Sequence, residues 1–198
     1  MPSFSPDDMA AADVYHLMTA LVVPRPIAWV STRSADGVAN LAPFSYFQMV
    51  SQDPATLQVT FSGRKDSLVN IEQTREFVVN VVDRANLEAM NATAVDAPAT
   101  VEEMVLAGIA MADSSVVAPQ RVADAPAALE CRFADSIVFG SNTVVFGRVV
   151  AVQVADRLWR NGRVDQDALD AVGRAAGSRY VVGGDPVDLR RPSWADRA

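Results

Sequence analysis

At 198 residues, with 50% hydrophobic and 21% charged residues, the chain has the makeup of a globular domain large enough to bury a substantial core. Its net charge of −7 argues against nucleic acid or an anionic membrane as the main partner, and no apolar run reaches the ~18 residues that a membrane helix requires. Cys131 is the lone cysteine, which rules out an intrachain disulfide, and the acidic N-terminus lacks the basic-then-apolar order of a signal peptide; together these predict a cytoplasmic location.

Ser5-Pro6-Asp7-Asp8 starts a predicted helix that runs to about Leu21: Ser as N-cap, Pro in the first turn, an acid three residues after the cap. Pro24-Arg25-Pro26 stops it and forces extended backbone. Ile27 to Thr32 is a predicted strand, Ala35-Asp36-Gly37 a tight turn, and Val38 to Ala42 the returning strand. Phe44 to Ser51 continues as extended or irregular chain. Asp53-Pro54 turns it into a third strand, Thr56 to Phe61, rich in β-branched and aromatic residues.

Ser67 to Thr74 is a short helix with Leu68 and Ile71 on one face, followed by a strand from Phe77 to Val82. Asp83 caps a helix from Arg84 to about Thr93. Thr100-Val101-Glu102-Glu103 is a capping box for another short helix. Ala127 to Val138 and Thr143 to Val154 form a long hairpin around Phe139-Gly140-Ser141-Asn142. Val164 to Val172 is expected as a helix, before a Gly- and Arg-bearing tail from Gly173 to Pro192. About six strands in hairpin order, not alternating with long helices, predict an antiparallel barrel with helices outside it.

The residue inventory excludes most familiar catalytic arrangements. The only histidine is His16, in the first helix, and with one cysteine there is no His/Cys metal set. Neither a GxxxxGK[ST] loop nor a GxGxxG turn is present. No catalytic side chain and no metal site is therefore expected; a reaction here needs a bound organic cofactor.

Lys65 is the only lysine among 17 basic residues, and it lies in Ser62-Gly63-Arg64-Lys65-Asp66-Ser67, between a predicted strand and a predicted helix. Free N–H groups, the positive helix end and side-chain charge converge at such a turn and suit a phosphate; on spacing alone a solvated surface turn fits as well. Asn40 to Phe47 offers small, polar and aromatic groups in quick succession, either a ligand wall or an ordinary strand kinked at Ala42-Pro43.

Val23-Pro24-Arg25-Pro26-Ile27-Ala28-Trp29-Val30-Ser31-Thr32, Asp36-Gly37-Val38-Ala39-Asn40-Leu41-Ala42-Pro43-Phe44-Ser45-Tyr46-Phe47, Gly63-Arg64-Lys65-Asp66-Ser67-Leu68-Val69-Asn70-Ile71 and Gly173-Arg174-Ala175-Ala176-Gly177-Ser178-Arg179-Tyr180 together resemble, in order and spacing, the flavin reductase-like family with the FMN-binding split-barrel fold. The resemblance covers roughly residues 12 to 192. It implies a single domain over residues 1–198 (core about 12–160, C-terminal extension 161–198). The fold it implies is a six-stranded antiparallel Greek-key split β-barrel with flanking short helices. It also implies a homodimer with FMN at the subunit interface and NADH or NADPH as electron donor.

By position, the resemblance assigns the FMN phosphate to Arg64, Lys65 and Ser67. It assigns the isoalloxazine and ribityl chain to Asn40, Pro43, Phe44 and Ser45, nearby hydrogen bonds to Ser31 and Thr32, and further ring contacts to Trp29 and Tyr180. Arg25 faces the dimer groove or a nicotinamide nucleotide on this reading, and Gly173 to Tyr180 is a clasp on the other subunit or a plain loop. One departure stands out: many relatives carry a histidine in the hairpin where this chain has Gly140-Ser141-Asn142-Thr143, and Asn142 takes no proton near neutral pH.

The activity implied is NAD(P)H-dependent flavin reduction, with electrons passed to a partner monooxygenase or another acceptor. The alternatives are a non-catalytic, flavoredoxin-like FMN electron carrier reduced by a protein partner, a flavin oxidoreductase acting directly on an organic substrate, and a barrel that has lost its flavin. The intact basic turn separates the last from the others.

Overall fold

The computed structural model describes residues 1–184 and 186–193. Asp185 and residues 194–198, the end of the expected C-terminal extension, lie outside the described residues. In chain order the strands are β1 (Arg25–Pro26), β2 (Ala28–Arg33), β3 (Ala39–Phe44), β4 (Phe47–Gln52), β5 (Ala55–Ser62), β6 (Glu76–Asn80), β7 (Met111–Ala112), β8 (Arg121–Val122), β9 (Ala127–Phe139), β10 (Asn142–Val154), β11 (Trp159–Arg160), β12 (Arg163–Val164), β13 (Val172–Arg174) and β14 (Tyr180–Val182). The helices are α1 (Ala11–Leu21), α2 (Asp66–Thr74), α3 (Leu87–Ala92), α4 (Glu103–Leu106) and α5 (Gln166–Leu169).

A seven-stranded antiparallel sheet dominates, in the order β3-β2-β6-β9-β10-β5-β4. Only Ser45 and Tyr46 separate β3 from β4, yet these strands are the two edges of the sheet. So short a link forces the edges together, and the sheet must curl into a barrel split along this seam. The mainly β, split-barrel expectation holds, with one strand more in the sheet than the six expected. The addition is β4, within the stretch expected as extended or irregular chain. Most of its side chains face solvent, so the alternation that marks a half-buried strand is missing, and pairing with the longer β5 decides its structure.

Strand periodicity sorts the interior. Ala28, Val30, Phe77, Val79, Val59 and Phe61 fill the barrel with Cys131 and Val145, while Trp29 and Leu41 point the other way, into a second core with Met90, Met104 and Val172. Helix α2 closes the barrel with Leu68 and Ile71, as its spacing predicts. Gly147 lets the strands approach closely: a Cβ there would lie 2.3 Å from Phe77 Cζ.

Several boundaries differ from expectation. The first helix is broken: a 3-10 turn spans Pro6–Asp8, Met9 and Ala10 are extended, and α1 follows, with no side-chain cap from Ser5. The expected capping box does not form. Thr100 is not the N-cap of α4; Glu102 is. Instead the two carboxylates reach across to the edge of β3: Glu102 Oε1 accepts from Ala39 N at 3.0 Å and Glu103 Oε2 from Leu41 N at 3.1 Å. Pro43, next on the same side of the strand, has no N–H to offer. The expected helix from Val164 to Val172 shrinks to α5. Asp165 caps it by accepting from Ala168 N at 3.1 Å, Asp170 ends it at φ +45°, and β13 begins at Val172. There the chain joins β1 and β14 in a three-stranded sheet.

Among the described residues no helix is long and apolar enough to cross a membrane.

Candidate functional site

The basic turn leaves β5 at Ser62, and Gly63 takes the left-handed conformation, φ +74°, that lets it reverse. Gly63 N donates to Ser141 O at 3.0 Å, so the β9–β10 hairpin tip braces the turn. Lys65 is the N-cap residue of α2, and its side chain makes no capping bond. The first-turn N–H groups of this nine-residue helix therefore lack a side-chain cap. Ser67 is buried in that first turn, and Asn40 Nδ2, from β3, donates to its Oγ at 2.8 Å.

Asn40, Pro43, Phe44, Lys65 and Ser67 line one groove of about 160 Å³, together with the loop that follows α3. Lys65 Nζ lies 3.5 Å from Asp96 Oδ1 of that loop. Arg64, in contrast, turns along the exposed side of α2 to Glu72 Oε2 at 2.8 Å and is not part of the groove wall.

Three other expected site residues form the scaffold behind the groove. Trp29 is fully buried, and its indole N–H donates to Thr93 Oγ1 at 2.9 Å; Thr93 itself lines the groove. Thr32 Oγ1 accepts from Asn70 Nδ2 at 3.0 Å, which fixes α2 on β2. Ser31 Oγ donates to Gln120 O at 2.6 Å and accepts from Asn80 Nδ2 at 3.3 Å. Each hydroxyl is satisfied by protein.

The groove does not end at Phe44. Pro43, Phe44 and Ala94 also belong to a second cavity of about 230 Å³, whose far wall is Arg25, Ser45, Arg174 and Tyr180. Arg25 and Ser45 in turn border a third, more apolar cavity of about 560 Å³, walled by Met18, Pro26, Tyr46 and Phe47. Phe44 and Phe47 pack on the barrel core, Phe44 edge-on to Phe61 with ring centroids 4.6 Å apart, which leaves Ser45 at the mouth of both outer cavities. The segment from Gly173 to Tyr180 packs on its own chain, where Gly173 pairs with Pro26; a Cβ on Gly173 would lie 2.8 Å from Pro24 Cβ.

Glu103 brings a buried carboxylate to the groove wall. Burial pushes its pKa up, and Asp66 and Glu102 push the same way, against the Leu41 N–H bond. Sequence reasoning missed Glu103, Thr93 and Asp96: each arrives from a segment remote from the turn, and the only signal, the paired Glu102-Glu103, suggested a helix cap. Among the described residues there is no cluster of His, Cys, Asp and Glu that could hold a metal ion.

The arrangement offers two adjoining cavities that share Pro43, Phe44 and Ala94: one where Lys65 and the start of α2 stand among Asp66, Asp96 and Glu103, the other walled by Arg25, Arg174 and aromatic rings. The flavin reductase like domain family matches residues 18–167. An uncharacterized protein of Halalkalibacterium halodurans is 34% identical over 96% of each chain. Nitrilotriacetate monooxygenase component B from Bacillus cereus superposes with TM-score 0.93 at 32% identity, over 96% of this chain and 98% of that one. The 2-nitrobenzoate 2-nitroreductase of Pseudomonas fluorescens gives TM-score 0.92 at 31% identity, over 98% of both.

Proposed function

We propose that this chain, which belongs to the flavin reductase-like domain family, is an FMN-binding oxidoreductase that draws electrons from NADH or NADPH. The observation that carries the reading is the pair of adjoining cavities, sharing Pro43, Phe44 and Ala94, that lie between the uncapped start of α2 and Tyr180. The residues from Lys65 to Ser45 fit the cofactor, and the Arg25 and Arg174 side lies beyond it. Lys65 Nζ and the first-turn N–H groups of α2 meet a phosphate dianion with charge-assisted donors. Asn40 and Ser67 give the ribityl hydroxyls polar partners. Pro43, Phe44 and Ser45 form a flat wall for the ring. Arg64 joins the phosphate only by leaving Glu72, while Ser31, Thr32 and Trp29 hold the wall from behind.

FMN supplies the two-electron chemistry that the side chains lack. The chain's own work is to bind, orient and leave one ring face open, so no side-chain acid or base is essential. Asn142, where a proton-carrying group is common in relatives, fits that division of labour. The reading includes a homodimer, with the exposed Met18, Leu21 and Val22 beside the crevice as the surface for the second copy, and a cytoplasmic location. Similarity to a monooxygenase component B supports a partner oxygenase as the electron acceptor. A second reading, direct reduction of a small organic molecule, is favoured by the cavity beyond Phe44 and by similarity to a nitroreductase.

The test is to purify the protein, look for yellow colour, and titrate it anaerobically with NADH and with NADPH. A reductase bleaches within seconds with one of them. A carrier resists both yet accepts photochemical electrons, and a colourless protein that fails to take up FMN overturns the proposal. Lys65→Ala should weaken FMN at least tenfold and riboflavin little, because only FMN carries a phosphate; equal losses for both ligands refute the role given to Lys65.

A further inference from the structure

Two arginines face each other across the small sheet that closes the crevice. Arg25 and Arg174 are direct cross-strand partners in the β1–β13 ladder, and both line the cavity shared with Pro43 and Phe44. Like charges directly opposite on a ladder repel, yet among the described residues no carboxylate forms an ion pair with either. Among the described residues no Asp or Glu lines this cavity. Among the described residues the ion pairs involve Arg64, Lys65, Arg84, Arg132, Arg157 and Arg160 but neither of these two.

Arg25 is only 8% exposed, and all its partners are neutral. Nη1 donates to Thr19 O and Val22 O at 2.8 Å, Nη2 to Ala175 O at 3.0 Å, and Nε reaches Ser45 Oγ at 3.4 Å. Arg174 donates to Tyr180 Oη and Gly177 O, and its guanidinium carbon lies 4.5 Å from the centroid of the Tyr180 ring. These are two of the five hydrogen bonds that a guanidinium can make. A buried cation without a counter-charge is unfavourable. In a chain of net charge −7, acids are plentiful, but among the described residues none lines this cavity.

We infer that this cavity is an anion-binding subsite, formed by Arg25 and Arg174 and walled by the Tyr180 ring, for the carboxylate or phosphate of the small planar molecule that meets the flavin. The anion supplies the charge that the protein withholds. Arg174 keeps three of its five N–H groups for an oxyanion and Arg25 keeps one, while Tyr15, Phe44 and Tyr180 give a flat molecule apolar surface beside them. That the occupant is the flavin's reaction partner rests on the function proposed above, because this cavity shares Pro43 and Phe44 with the groove at the basic turn. That the cavity binds anions does not rest on it.

Two ligand pairs that differ only in the anion test the inference. Benzoate against benzamide probes the carboxylate source, and oxidised nicotinamide mononucleotide against its riboside, neither of which can give FMN a hydride, probes the phosphate source. Dissociation constants are measured by calorimetry on FMN-loaded and FMN-free protein. In at least one pair the anion should bind tenfold or more tighter than its neutral analogue, and that pair identifies the source. Arg174→Gln should bring the ratio close to one with FMN affinity changed less than twofold, and Arg174→Lys should restore part of the ratio.

Ratios near one in both pairs, a ratio unmoved by Arg174→Gln, or displacement of FMN by the anionic probe would each overturn the subsite. Should Arg174→Gln fail to fold, the wild-type ratios and the FMN competition decide alone. Failure to load FMN with the anion ratio intact refutes the flavoprotein reading and leaves the subsite standing.

Discussion

Glu103 and Glu130 are both buried carboxylates, and their surroundings drive them in opposite directions. Burial raises Glu103. Burial alone would raise Glu130 too, but donors prevail: Ser115 N and Oγ at 2.7 Å, Val116 N at 2.6 Å and Val117 N at 3.1 Å hold its carboxyl below the ordinary range. Linkage then gives opposite signs. The folded state binds the Glu103 proton more tightly than the unfolded state does, so that contribution to stability is present at acid pH and lost as pH rises through the raised pKa. Glu130 contributes stability above the ordinary glutamate pKa that is lost as pH falls through its depressed one.

Glu103→Gln keeps an oxygen for Leu41 N and removes a charge. It should therefore gain stability relative to wild type as pH rises from about 4.5 to 7, as read from urea midpoints. It should also tighten FMN at neutral pH; unchanged FMN affinity would place Glu103 outside the field of the phosphate. Glu130→Gln turns an N–H₂ group toward backbone donors and should cost about 2 kcal/mol or more at pH 7, with the deficit narrowing in acid. At this scale the sequence is legible where function is local. Arg64, Lys65 and Ser67 stand within one turn and the resemblance assigns all three; Lys65 and Ser67 line the groove, while Arg64 turns to Glu72. The carboxylates were not, because Glu103 meets β3 only after the chain has traversed β5, α2, β6 and α3.

At the scale of elements, α2 follows its pattern because it buries one face, and the long β9–β10 hairpin follows its β-branched runs and turn, although two register shifts and an exposed tip interrupt its alternation. β4 and α5 do not, because an edge strand and a single turn bury too little for any period to emerge. Gly147 marks a constraint that the pattern conceals. It sits at a register shift in the β9–β10 ladder, and any Cβ there meets the buried Phe77 ring. Gly147→Ala should lower the urea midpoint, a loss of about 1–3 kcal/mol typical of overpacking, with the m value unchanged. A neutral result would show that the barrel yields at this point.

At the scale of the whole molecule, the order of the sheet was the hardest thing to foresee. Hairpin order in the chain does not reveal that β6 inserts between β2 and β9, because pairing of distant strands is fixed by packing and not by neighbouring residues. The proposed dimer belongs to this scale. Met18, Leu21 and Val22 are each at least half exposed, an apolar face on a helix that otherwise has little to cover it. Met18→Asp together with Leu21→Asp should shift the sedimentation coefficient to that of a monomer and weaken FMN in parallel. A wild-type protein that sediments as a monomer while holding FMN removes the interface from the proposal.

The outer margin of β3 offers no free N–H group: Ala39 and Leu41 give theirs to the carboxylates of α4, and Pro43 has none. An open margin of this kind is a template on which a stray extended segment can grow. Chains stripped of both carboxylates should therefore betray themselves first as turbidity and thioflavin-positive deposits at high concentration, while the fraction left in solution still turns yellow with cofactor.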